Sequence, residues 1–347
     1  MSELASAERV LALDRHAPLV AGLLPHELWP PHCAAALRIA YRSRGRTTSG
    51  LILLPSGRAP RGRWPIMTWG HCLTGLSRGT APTVIGPTRR ERKHLGDWLS
   101  RGFAVVVADY WGLDGWALNT FPVSAPLAAD LLDIACAAVD LGLPVSNRVV
   151  VAGFSQGAGV ALEAGARWHG WSDRLELCGT VALAPVEWDD FYRAALHLGR
   201  AQVEQTTPLI VAAAAFHDPH RQLHRHLTEL GRRAVALAHT VSVAEVGRFV
   251  TGWRNRDLGF SALLRHGGLD DIFARSSPPL RGYDRPVLLC ATSPDPMAPK
   301  SSVLTFARRL RRCGSPVTVF DYLGRGHLTV VESASADVVD WAHALVS

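Results

Sequence analysis

No apolar run in this 347-residue sequence approaches the roughly 18 residues that a membrane-spanning helix needs, and the stretch at 209–216 is among the longest. No transmembrane helix is expected. The N-terminus also lacks the basic start and continuous apolar core of an export signal, because Glu3, Glu8, Arg9, Asp14 and Arg15 interrupt it. A cytoplasmic location is the expectation. Cysteines are few and widely spaced, at Cys33, Cys72, Cys136, Cys178, Cys290 and Cys313. Without short paired spacing, and with several inside apolar segments, they read as buried free thiols, neither a disulfide frame nor a zinc site. Internal repeats and low-complexity tracts are absent as well.

What is present suits a globular chain. Hydrophobic residues make up 48% and charged residues 19% of the sequence. The formal charge of +7 is carried almost wholly by arginine. Its only clusters, at 89–93 and 308–312, fall on amphipathic helical patterns and read as solvated helix faces. No nucleic-acid partner is expected.

Apolar, β-branched runs of strand length recur at 36–41, 50–54, 65–69, 103–109, 149–153, 180–183, 286–290 and 316–322. From the fourth onward most are separated by enough chain for a crossover helix. Helical spacing of apolar residues marks 89–101, 126–141, 156–168, 301–312 and 334–345. The alternation predicts a mostly parallel central sheet flanked by helices on both faces. Segments 44–48 and 56–63 read as turns. From about Pro185 to Tyr283 the chain is helix-like with no convincing strand. The expected division is therefore an α/β core over 1–185 and 284–347, with a helical cap or lid inserted over 186–283. Within it, 208–216 is apolar all round and reads as cap core, with the wall of an acyl cleft as the alternative.

Residues 148–162 read as strand, tight turn and apolar helix start, with Gly153, Ser155 and Gly157 in G-x-S-x-G spacing. A sharp strand-to-helix turn strains the backbone at the serine and leaves no room for side chains at the flanking positions, which the two glycines satisfy. Ser155 is the candidate nucleophile, at a helix N-terminus whose N–H groups favour negative charge.

On such a topology the acid and the base follow the serine on loops after late strands. The last expected strand runs into Leu323-Gly-Arg-Gly-His327, and of fifteen histidines only His327 combines late position, post-strand loop and flexible flanks. It is the candidate general base. The preceding strand leads to Asp295, the candidate acid that would hold the histidine tautomer; Asp189 and Asp190 compete for that role. Two backbone N–H groups must receive the oxyanion. The residue after the nucleophile, Gln156, supplies one, and the loop 69–75 supplies the other through Leu73, with Thr74 beside it.

With these residues in view, the chain resembles the α/β-hydrolase superfamily, and within it the secretory lipase family of lipase A-type enzymes and their bacterial relatives. The likeness is carried by Tyr41-Arg-Ser43 before Ser49-Gly-Leu-Ile-Leu-Leu-Pro55, by Pro65-Ile-Met-Thr-Trp-Gly-His71-Cys-Leu-Thr-Gly75, and by Ala81-Pro-Thr83. Asp109-Tyr-Trp-Gly-Leu113, Gly153-Phe-Ser-Gln-Gly157, Asp295 ahead of Pro299, and Gly326-His327 complete it. The likeness covers most of the chain outside the expected cap. Cys72 stands where such lipases usually have glycine, Thr80 where they tend to have cysteine, and an export signal is missing. These departures point to an intracellular acyl substrate.

The resulting expectation is a serine-nucleophile ester hydrolase acting through an acyl-enzyme on a hydrophobic acyl ester, small or carrier-bound. An acyltransferase, thioesterase or cyclase using the same triad is the alternative, and a non-catalytic binding protein the more distant one. His71, Thr74, Asp109 and Tyr110 are candidates for pocket walls, with bracing of the oxyanion loop or simply ending the strand as equal alternatives for the last two. His220 and His224 stand at helical spacing, but Arg221 and Arg225 would repel a cation, so a polar surface is the expectation there. The chemistry calls for no metal and no organic cofactor.

Overall fold

Alternation along each strand sorts the core onto two faces of one sheet. In the computed structural model, which describes residues 17–60, 63–113, 119–169, 171–197 and 222–347, Leu51 and Leu53 face one side and Ile52 the other. Val105 and Val107 oppose Val106, and Val150 and Ala152 oppose Val149 and Val151, in the same way. Both sides are buried, so these strands read as continuous apolar runs. Burying each such side chain contributes about 1.5–3 kcal/mol.

The strands are β1 (Leu19–Leu23), β2 (Cys33–Ser43), β3 (Arg46–Pro55), β4 (Trp64–Gly70), β5 (Ala104–Ala108), β6 (Val145–Phe154), β7 (Glu176–Leu183), β8 (Val287–Ser293) and β9 (Val317–Leu323). They form a sheet in the order β1-β2-β3-β5-β4-β6-β7-β8-β9. Pairing is antiparallel from β1 to β5 and parallel from β5 through β4 to β9.

The longer core helices are α1 (Arg89–Ser100), α2 (Ala125–Asp140) and α3 (Gln156–Ala166). Between β7 and β8 lie α4 (Trp188–His197), α5 (Glu229–Ala238), α6 (Val243–Val250), α7 (Phe260–His266) and α8 (Asp270–Ser276); α9 (Lys300–Arg312) and α10 (Ser335–Val346) close the chain. Leu95, Trp98 and Leu99 of α1 pack on one face of the sheet, and Leu127, Leu131 and Ile134 of α2 on the other. Among the described residues no helix is long and apolar enough to cross a membrane.

Two expectations change. Strand β1 escapes the pattern search because it is a half-exposed edge: Val20 and Leu23 are 43% and 55% exposed, and the register slips at Gly22. The turn expected over 44–48 shrinks to Arg44 and Gly45, both at positive φ, and Arg46, Thr47 and Thr48 pair with Ser43, Arg42 and Tyr41. Polar residues there extend the hairpin beyond its apolar part. In the interval between β7 and β8 the described residues form no named strand, and an isolated bridge joins Ser242 to Gly75 in the loop after β4. The apolar segment 208–216, with His217 and His220, lies outside the described residues.

Candidate active site

The serine turn follows from steric exclusion. A Cβ on Gly153 would meet the Gly157 carbonyl oxygen at 2.1 Å, and one on Gly157 would meet the Gly70 carbonyl oxygen at 1.8 Å. With both positions bare, β6 and α3 close onto each other and onto β4. Ser155 between them adopts φ 54° and ψ −114°, a sparsely populated conformation that costs about 1–3 kcal/mol. Its N–H donates to the Leu183 carbonyl at 3.0 Å, which ties the turn to β7.

The loops after β8 and β9 reach the same sheet edge. His327 opens a short 3-10 turn after β9, where the Gly326 N–H donates to Thr329 Oγ1 at 3.0 Å. Its Nε2 lies 2.8 Å from Ser155 Oγ, and its Nδ1 lies 2.8 Å from Asp295 Oδ2. The Asp295 side chain is fully buried. Oδ2 also accepts from Thr292 Oγ1 at 2.9 Å, while Oδ1 accepts from the N–H groups of Met297 and Ala298 at 2.9 Å each. Burial alone would push this carboxyl up. The His327 hydrogen bond and charge outweigh it, helped by Ala298 and Thr292, and hold Asp295 below the usual carboxylate range. Asp295 therefore stays ionised and accepts from Nδ1–H, leaving Nε2 as the proton acceptor toward the serine.

The N–H groups of Gln156 and Leu73 donate to no acceptor among the described residues. The intervening Cys72 N–H is taken: it donates to Glu91 Oε1 at 3.1 Å. Glu91 is 1% exposed. The same Oε1 accepts from Trp69 Nε1 at 3.2 Å, and Oε2 accepts from Thr88 N and Oγ1 at 3.1 and 2.7 Å. One carboxylate thus closes the α1 capping box and fastens the loop that carries Leu73. Ser155, His327, Asp295 and Leu73 all line a cavity of about 1170 Å³.

No protein-family model and no curated protein sequence matches the chain. Solved structures do. The rice cell wall degrading esterase LipA from Xanthomonas oryzae superposes with a TM-score of 0.70 at 20% identity, over 90% of each chain. Candida antarctica lipase A matches with a TM-score of 0.70 at 15% identity, over 93% of this chain and 84% of that one. A putative hydrolase from Legionella pneumophila matches with a TM-score of 0.72 at 17% identity, over 94% and 97%. The chain has the α/β-hydrolase fold.

Within this α/β-hydrolase fold, the four candidates for pocket walls stand elsewhere. None of His71, Thr74, Asp109 or Tyr110 lines the cavity. Asp109, fully buried, accepts from Ser49 Oγ at 2.6 Å, from the Thr83 N–H at 2.9 Å and from the Thr83 hydroxyl. Tyr110 donates to the His71 carbonyl at 3.3 Å and stacks on the His71 ring at 4.2 Å between centroids. His71 is 2% exposed, its Nδ1 lies 2.7 Å from the Cys72 carbonyl, and burial pushes its pKa down, keeping the ring neutral. The Thr74 carbonyl accepts from the Val243 N–H at 2.9 Å. These residues form the back of the loop: the Asp109 and Tyr110 side chains are hydrogen-bonded there, while His71 Nε2 and Thr74 Oγ1 are buried without a hydrogen-bond partner among the described residues. Asp189 is also distant in role, paired with Arg193 on α4. Glu91 went unread, although Thr88-x-x-Glu91 is a capping-box pattern visible in the sequence.

Proposed function

We propose that the protein is a carboxylic ester hydrolase working through an acyl-enzyme on Ser155. The continuous hydrogen-bonded chain from Ser155 through His327 to Asp295, at the wall of a largely apolar cavity, carries this reading. The α/β-hydrolase fold, shared with an esterase and a lipase, supports it.

In the first half-reaction Ser155 Oγ attacks the acyl carbon while His327 Nε2 takes the hydroxyl proton. The Gln156 and Leu73 N–H groups receive the oxyanion. The tetrahedral intermediate collapses, its bond to the alcohol oxygen breaks, and the alcohol leaves with the proton from His327. Water then attacks the acyl-enzyme and gives its proton to His327. Collapse releases the carboxylic acid and returns the proton to Ser155.

Residues 186–283 act in this reading as a cap over the core. The Ser242 bridge to Gly75, the Val243 N–H donating to Thr74, and Val243 in the cavity wall all support that role. All six cysteines are free thiols, which favours a reducing, cytoplasmic setting.

The test is hydrolysis of p-nitrophenyl esters from acetyl to palmitoyl by wild type and Ser155→Ala. Turnover confined to the wild type, with a preferred chain length, is expected. Equal rates in both proteins would remove Ser155 from the mechanism. A stoichiometric nitrophenol burst without turnover would replace water with another acyl acceptor.

A further inference from the structure

Among the described residues the cavity wall holds two cationic side chains, Arg90 and Lys300, and their surroundings differ. Lys300 Nζ is paired with the Asp321 carboxylate. Arg90 lines the same cavity, is exposed, and has no ion-pair or hydrogen-bond partner among the described residues. Its nearest acidic neighbour in sequence is Glu91, but both Glu91 oxygens turn inward to Cys72, Trp69 and Thr88. The one carboxylate among the described lining residues is Asp295, saturated by His327, Thr292 and two backbone N–H groups. Among the described residues the cavity therefore offers an uncompensated guanidinium in a wall otherwise dominated by apolar side chains such as Leu73, Val243, Met297 and Leu328. Apolar walls weaken the screening that water gives an exposed charge, and guanidinium is suited to bidentate pairing with an oxyanion.

We propose that the ester turned over at this site carries an anionic group, of carboxylate or phosphate type, which Arg90 receives while the acyl carbon sits at Ser155. This inference rests on the ester-hydrolase reading and specifies its substrate class. Arg90 is a specificity determinant here and takes no part in bond making.

The experiment compares matched esters that differ in one charge. Mono-p-nitrophenyl adipate against its methyl ester places the charge on the acyl part; 4-(butyryloxy)benzoate against its methyl ester places it on the alcohol part. For at least one pair, wild-type kcat/KM is expected to favour the anion by about tenfold, the order of one charge-assisted hydrogen bond. That ratio should fall to near one in Arg90→Ala, survive in part in Arg90→Lys, stay unchanged in Arg89→Ala, and shrink as salt is raised. Binding of the same esters to Ser155→Ala protein, followed by calorimetry, reads the same preference without chemistry.

A ratio near one for both pairs in wild type, or one that persists in Arg90→Ala, overturns the inference. Ser155-dependent turnover of the neutral esters leaves the hydrolase reading standing in that event. Conversely, Arg90-dependent binding without turnover of any ester sustains the anion site and sinks the hydrolase reading.

Discussion

Serine, histidine and aspartate side chains meet in this molecule both at the cavity and in the packing between α1 and α10, and the two groups differ in where their protons can go. At the cavity His327 stands between Ser155 and Asp295. In the packing Ser335 stands between His94 and Asp97. There Trp98 Nε1 donates to His94 Nε2 at 2.9 Å, so the ring proton sits on Nδ1 and is given to Ser335 Oγ at 2.8 Å; Ser335 in turn donates to Asp97. The histidine donates to its serine and cannot take the serine's proton. His94 is fully buried and Ser335 is 2% exposed. Identical residue types thus make a fastening between two helices in one place and, in the other, an arrangement in which His327 Nε2 faces the serine hydroxyl and can take its proton. Backbone placement decides which: the strained Ser155 turn opens on a cavity, whereas Ser335 opens an ordinary helix.

The sharpest way to break this comparison is to delete each serine in turn. Ser155→Ala is expected to lower kcat/KM for a preferred ester on the order of 10⁴–10⁶-fold with unchanged thermal stability. Ser335→Ala should leave kcat/KM unchanged and cost about 1–3 kcal/mol in denaturant unfolding, since it strands buried polar partners. Interchanged results would reverse the two roles. The aspartates separate similarly: Asp295→Asn should lose about 10⁴-fold in kcat by removing the acceptor that fixes the His327 tautomer, and Asp97→Asn should not.

A smaller effect is expected at Glu91, which fastens the loop carrying Leu73 without a hydrogen bond to Ser155, His327 or Asp295. Glu91→Gln keeps the shape but weakens the hold on the Cys72 N–H, so kcat should fall about tenfold to a hundredfold with KM little changed. A change in KM alone would mean that the loop only binds substrate.

The smallest effect is one of pH. Burial pushes His94 down to about 3 from 6.5. Below pH 6.5 the unfolded chain binds a proton that the native state refuses, so stability falls as pH falls. The loss from this group is about 1.4 kcal/mol per pH unit until the native ring titrates near 3, and it is absent above 6.5. Unfolding free energies measured between about pH 5.5 and 4 should show a slope shallower by about that amount in His94→Gln. An unaltered slope would mean that His94 is already charged in the native protein.

The residues of the candidate site were legible where chemistry imposes local constraints. Gly153 and Gly157 announce the turn because any Cβ there strikes backbone, and His327 stands out because glycines follow a late apolar strand. The central parallel strands were legible because burial on both faces demands unbroken apolar runs. Strand β1 was not, since half its side chains face water. Nor were the partners of Glu91: the capping pattern is local, but the Cys72 N–H arrives from 19 residues away through the packing of β4 on α1. Asp109 and Tyr110 sit at the expected sheet edge, yet their side chains turn behind the loop, Asp109 to Ser49 and Thr83 and Tyr110 to the His71 carbonyl, which only the three-dimensional packing decides.

The central claim, that Ser155 is the activated nucleophile, is met most directly by labelling the native protein with a fluorophosphonate and mapping the adduct by mass spectrometry. One phosphonyl group per chain on Ser155, lost in His327→Ala and untouched in Ser335→Ala, is the predicted result. Labelling at another residue, or none on a folded protein, would contradict it.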